Sequence, residues 1–156
     1  MRLAVTRAVV FVMVAMVPIA AIGGTVTWDG GGGNDFWQTG ANWVGDTKPG
    51  ANDVLVFSGT TRTSTSNDFP ASSQFDGIQF PNTVAGQGFS LAGNDIDLLG
   101  DITNSPAVSN LTYLISLSIQ VVGGNRTFHL LTNHNLSVSV SISVFSFGLP
   151  VYPIGP

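Results

Sequence analysis

Asp95, Asp97 and Asp101 form the densest acidic group in this 156-residue chain. Calcium held by carboxylates beside an Arg or Lys base can drive cleavage of an acidic polysaccharide, and a pair of carboxylates equips a glycosidase. In an extended chain Asp95 and Asp97 project from the same side, roughly 7 Å apart. The three are therefore the candidate metal ligands. The base is harder to supply. Beyond Gly23 the cations are Lys48, Arg62 and Arg126, and none adjoins the trio in sequence. A solvated, charge-bearing turn and strand face is the plainer expectation.

Trp28, Trp37 and Trp43 are the second candidate group. Trp is flat, large and amphipathic, which suits stacking on sugar rings, so these are the candidate carbohydrate-binding residues. The competing expectation is a plug: three Trp so close together in the chain can seal the open end of a solenoid, and that reading is preferred. Gly30 to Asp35 fits the Gly-Gly-x-Gly-x-Asp calcium repeat, but one copy cannot stack on another, so a turn feeding the first strand is expected. His129 and His134 have no Cys and no acidic neighbour to complete a zinc site. No Gly-x-Ser-x-Gly elbow accompanies the many Ser residues. Asn110, Asn125 and Asn135 head glycosylation-type triplets. No catalytic set and no cofactor site emerge from these motifs, and the chain reads as a non-enzyme.

The elements that must carry these residues are built from Gly, Ser, Thr, Asn, Asp, Val, Ile, Leu and Phe. There is no Glu and no Cys, and every Met lies between Met1 and Gly23. Met1–Gly23 reads as a secretory signal: Arg2 and Arg7, an apolar run from Ala8 to Val17, the break at Pro18, then Ala21 and Gly23 as the small residues before a cut at Gly24. A secreted or cell-surface location follows, with no membrane segment after cleavage. Without that segment three cations face nine Asp, a formal charge of −6. Such a chain is a poor partner for nucleic acid, which needs clustered Lys and Arg. With no Cys, disulfides and thiolate metal sites are excluded.

Strand signals are numerous and helical periodicity is lacking, so the chain reads as all-β. Val54–Phe57, Gly77–Phe80, Phe89–Leu91 and Ile96–Leu99 are short apolar runs. Leu111–Val122 and Arg126–Leu131 are longer. In Leu136–Val144 every second residue is apolar and all the others are Ser, which predicts one strand with an apolar and a hydroxyl face. The corners carry Asn-Asp and Gly-Asn pairs, residues that bond their own backbone or enter the left-handed region. Short strands with tight corners suit a β-solenoid or a β-sandwich. Two-residue Asp-Gly or Asn-Gly loops are scarce, which tilts the choice toward a solenoid.

From Thr27 to Ser105 the order of residues resembles the N-terminal part of bacterial proteins with autotransporter-associated β-strand repeats. The resemblance rests on Trp28-Asp29-Gly30, Gly33-Asn34-Asp35-Phe36-Trp37, Ala41-Asn42-Trp43 and the runs Phe75–Phe80 and Phe89–Asn94. It implies a right-handed parallel β-helix, here the N-terminal cap and first rungs. It also implies an adhesin-like surface protein, with extracellular polysaccharide or a cell-surface ligand as partner. The organisation expected is a signal at 1–23, a β-solenoid-like domain at 24–144 and a non-repeat tail at 145–156. The change of character after Val144 reads as a truncated member whose open β edge invites self-association.

Overall fold

The computed structural model describes residues 22–81, 88–104, 111–124, 126–129, 135–138 and 142–144. The expected signal up to residue 21, His134, Asn110, Asn125 and the tail 145–156 lie outside them. The described strands are β1 (Thr25–Trp28), β2 (Val54–Phe57), β3 (Ser64–Asn67), β4 (Ser73–Phe75), β5 (Gly77–Phe80), β6 (Ser90–Gly93) and β7 (Ile96–Leu98). They continue with β8 (Ile102–Asn104), β9 (Thr112–Ile115), β10 (Ile119–Val121), β11 (Phe128–His129), β12 (Asn135–Val138) and β13 (Ile142–Val144). The described helical structure is a single 3-10 turn at Gly40–Asn42.

The strands form three sheets, ordered β1-β2-β5-β8-β11, β3-β6-β9-β12 and β4-β7-β10-β13. Every pair of neighbouring strands is parallel. From β2 onward the chain visits the three sheets in rotation, so each of these circuits lays one strand on each. In the third sheet Ser73 pairs with Ile96, Ile96 with Ile119, and Ile119 with Ile142, so successive rungs there are equal in length. The protein is an all-β, three-sided parallel solenoid. A sandwich built from hairpins would pair consecutive strands antiparallel.

Register explains the composition. Parallel stacking sets like positions of successive rungs about 4.8 Å apart, so inward residues form columns. In the first sheet Val26 is in register with Leu55, Leu55 with Ile78, and Ile78 with Ile102. The second inward column runs from Trp28 to Phe57, whose ring stacks on Phe80 at 6.0 Å between centroids. Phe80 in turn stacks on Tyr113 at 4.5 Å. In the third sheet Phe75, Leu98 and Val121 align, and all three are buried. The core is thus a stack of apolar layers threaded by aromatic rings.

Two long strands expected from sequence are each divided. Leu111–Val122 supplies β9 and β10, and Leu136–Val144 supplies β12 and β13, which belong to different sheets. In register, Leu136 and Val138 stand beside the buried Tyr113 and Ile115, and Ile142 and Val144 beside the buried Ile119 and Val121. Each rung must turn between faces, and the period-two pattern does not reveal where.

The corner between the second and third sheets is built by asparagine. The side chain of Asn67, 2% exposed, donates from Nδ2 to the Asn94 carbonyl at 2.8 Å and accepts the Phe69 N–H at 3.0 Å. Asn94 N–H donates to the Asn67 carbonyl at 2.9 Å, and Asn94 Nδ2 to the Phe69 carbonyl at 2.7 Å. Backbone groups that leave their ladders at the corner therefore find side-chain partners, as buried polar groups must. At the corner between the third and first sheets, a Cβ at Gly100 would overlap the Asp76 carbonyl of the rung before, so only glycine allows that approach.

Candidate functional site

Residues 29–46 fold over the first rung and close that end. Phe36 bridges Ser66 in parallel, with Trp37 N–H donating to the Ser66 carbonyl at 3.1 Å and Ser66 N–H to the Asp35 carbonyl at 2.9 Å. The chain then returns through the 3-10 turn, and Trp43 bridges Trp28 in antiparallel fashion. Asn42 locks this loop: Nδ2 donates to the carbonyls of Asn34 and Phe36, and Oδ1 accepts the Gly32 N–H at 2.9 Å. Arg62 pairs with Asp35 across 3.4 Å on the surface, a contact worth about 1 kcal/mol or less.

Trp28, Trp37 and Trp43 are all 0% exposed. Trp28 and Trp43 meet edge to face at 5.2 Å, and both pack on Phe57. Their indole N–H groups are consumed internally. Trp37 Nε1 donates to Thr65 Oγ1 at 2.9 Å, Trp43 Nε1 to the Trp37 carbonyl at 2.7 Å, and Trp28 Nε1 to the Thr61 carbonyl at 3.4 Å. This corrects the expectation of a sugar platform. No ring of the three offers a face to a ligand, because the sheet columns need a lid and the indoles supply it.

The acidic trio does not come together either. Asp95 Oδ2 accepts the Ser72 N–H at 3.0 Å and its hydroxyl at 3.3 Å, holding the rung before. Asp101 Oδ1 accepts the Thr127 N–H at 2.8 Å, holding the rung after. Asp97 stands in the middle of β7, in register with Gln74 and Gln120. A corner lies between Asp97 and Asp101, Asp95 and Asp101 hold opposite neighbouring rungs, and among the described residues no group of three potential ligands could hold a metal. Arg126 precedes Thr127, so coiling does bring it to the rung beside Asp101. Its guanidinium donates to the carbonyls of Val122 and Gly123.

Asp97 carries a cost. Its Oδ1 is buried without a hydrogen-bond partner, in an outward row whose neighbours are both Gln. A carboxylate can only accept, whereas a carboxamide donates and accepts and extends the row as an amide ladder. We expect Asp97→Asn to raise the urea midpoint, by an amount equivalent to about 1 kcal/mol. A fall in the midpoint would mean that the carboxylate itself holds something together.

A concavity opens on the shoulder beside the cap, with a volume of about 310 Å³. Pro49, Gly50 and Ala51 form one wall, and Phe69 and Ser73–Phe75 the other. Asn52 N–H donates to the Gln74 carbonyl at 3.0 Å, which ties the walls together. Lys48 Nζ lies 5.7 Å above the Phe69 ring and 3.4 Å from Gln38 Oε1. Gln38 is itself fixed to Asp68: its N–H donates to Asp68 Oδ1 and its Nε2 to the Asp68 carbonyl. The cleft offers an apolar floor, one cation and amide groups. It holds no nucleophile paired with a base. Sequence reasoning missed it because its walls come from successive rungs.

Among the described residues no helix is long and apolar enough to cross a membrane. No protein-family model, curated protein or solved structure matches this chain.

Proposed function

We propose that the chain is the N-terminal end of an exported, non-enzymatic β-solenoid that presents polar faces at a cell surface. The observation that carries this reading is the aromatic plug on a stack of regular rungs. Trp28, Trp37 and Trp43 are spent on closing the end, and Asp95 and Asp101 are spent on holding opposite neighbouring rungs. Rigidity is the useful property of such a stack. Each rung is fixed by backbone ladders to its neighbours, so side chains on the outer faces stand in straight rows. The row Gln74, Asp97 and Gln120 is one, and Ser64 beside Ser90 begins another. Amides and hydroxyls at a fixed spacing suit hydrogen bonding to an extended polymer such as an extracellular polysaccharide.

Export and inertness are tested together. The full chain, expressed in a bacterium, is expected outside the cytoplasm and shortened to begin at Gly24. Its far-UV circular dichroism is expected to be of β type. Incubated with pectin-like or sulfated polymers, it is expected to release no oligosaccharide, with or without calcium. Retention in the cytoplasm with Met1 in place would sink the export reading. Product release abolished by a chelator would overturn the non-enzymatic one.

A further inference from the structure

We infer that cleavage between Gly23 and Gly24 creates an ion-pair site already built into the fold, in which the new α-ammonium of Gly24 is received by the Asp53 carboxylate. The inference rests on the export reading above. In the uncut chain Gly24 N–H already donates to Asp53 Oδ1 at 2.6 Å. The other oxygen, Oδ2, accepts the Gly50 N–H at 2.7 Å. The backbone on both sides is fixed too. Val54 N–H donates to the Gly24 carbonyl at 2.8 Å, Asp76 N–H to the Asp53 carbonyl at 3.0 Å, and the β1–β2 ladder starts at Thr25 and Val54.

Hydrolysis adds one water across the Gly23–Gly24 amide. The C–N bond breaks, Gly23 departs as a carboxylate, and the Gly24 nitrogen takes up a proton to become an ammonium at neutral pH. A neutral amide donor facing Asp53 thus becomes a charged one at the same place, and charge-assisted hydrogen bonds are shorter and stronger. Two features show how closely this end is fitted. A Cβ at Gly23 would overlap the Asn52 carbonyl, so the uncut chain docks this end only with glycine there, a small residue that also suits a peptidase. Both polar backbone groups of Gly24 are already occupied in the fold. A peptidase that reads an extended strand through its backbone must therefore act before β1 docks on β2.

The test is an NMR titration of the Gly24 α-amine in the processed protein, with its first residue established by mass spectrometry. An unpaired α-amine titrates at about 7.7–8.0. We expect a value above that range in the native protein, higher by roughly 0.2–0.7 unit than in Asp53→Asn, the size that a solvent-exposed ion pair produces. Asp53→Ser, which keeps an acceptor for Gly50 but no charge, should behave like Asp53→Asn and covers the case in which that variant fails to fold. A chain that begins at Gly24 but titrates in the ordinary range, or no higher than the folded Asp53→Asn and Asp53→Ser variants, overturns the pairing alone. A chain that begins at another residue overturns the cleavage position and the pairing with it.

Discussion

Phe57→Ala is expected to cost about 3–5 kcal/mol of unfolding free energy, the upper range for emptying a buried aromatic site. Phe57 is fully buried and its ring meets five others: Trp37 at 5.3 Å, Phe89 at 5.6 Å, Trp43 at 5.8 Å, Phe80 at 6.0 Å and Trp28 at 6.2 Å. It joins the cap to the first complete rung, so the cavity would open between the plug and the column beneath it. Those neighbours cannot close in easily. Trp37 and Trp43 are held by their indole hydrogen bonds, and the backbone of β2 is paired on both sides. A small domain has only about 5–15 kcal/mol in hand, so the variant should unfold at markedly lower urea. Phe69→Ala is the comparison. Phe69 is partly buried and packs on Phe75 from the rim, so its loss should cost distinctly less. Equal midpoint shifts for the two would show that the rings do not act as a joined stack.

The sealing role of the indoles was legible in sequence because three Trp on one side of the first apolar run have few other uses in a coil. The strands that sequence caught were those with apolar residues: Val54–Phe57 and Gly77–Phe80 match β2 and β5 end to end. The most polar of the strands it missed shows why. Ser64–Asn67 has no apolar residue, yet it is β3, because Thr65 turns inward to accept the Trp37 indole N–H and Asn67 to build the corner. Pattern reading assigns burial by hydrophobicity, whereas here two inward positions are satisfied by hydrogen bonds from other parts of the coil. The acidic trio failed for a related reason. Spacing along an extended chain places Asp95, Asp97 and Asp101 together, but rung length puts a corner between them and sends Asp95 and Asp101 to opposite neighbours. The Phe69 cleft and the Gly24–Asp53 contact join residues a full circuit apart, a separation fixed by coiling and invisible in any local window.

That dependence on coiling makes Gly93→Ala the sharper stability experiment. Gly93 ends β6 at φ +104°, a conformation that costs an L-residue about 1–3 kcal/mol. It is in register with Asn67 of the rung before, and a Cβ there would overlap the Asn67 carbonyl. The same carbonyl accepts the Asn94 N–H, and the Asn67 side chain reaches the Asn94 carbonyl. Relieving the overlap therefore pulls apart the hydrogen bonds that turn the chain from the second sheet to the third. The two costs together should reach about 3 kcal/mol or more, read as a fall in urea midpoint. Gly59→Ala separates them. Gly59 also has positive φ, +89°, but a Cβ there meets nothing within 4 Å, so that variant carries the backbone strain alone. A clearly larger loss in Gly93→Ala than in Gly59→Ala would locate the demand in the stacking distance between rungs. Equal losses would locate it in the dihedral angle, and the Asn67–Asn94 corner would then have room to spare.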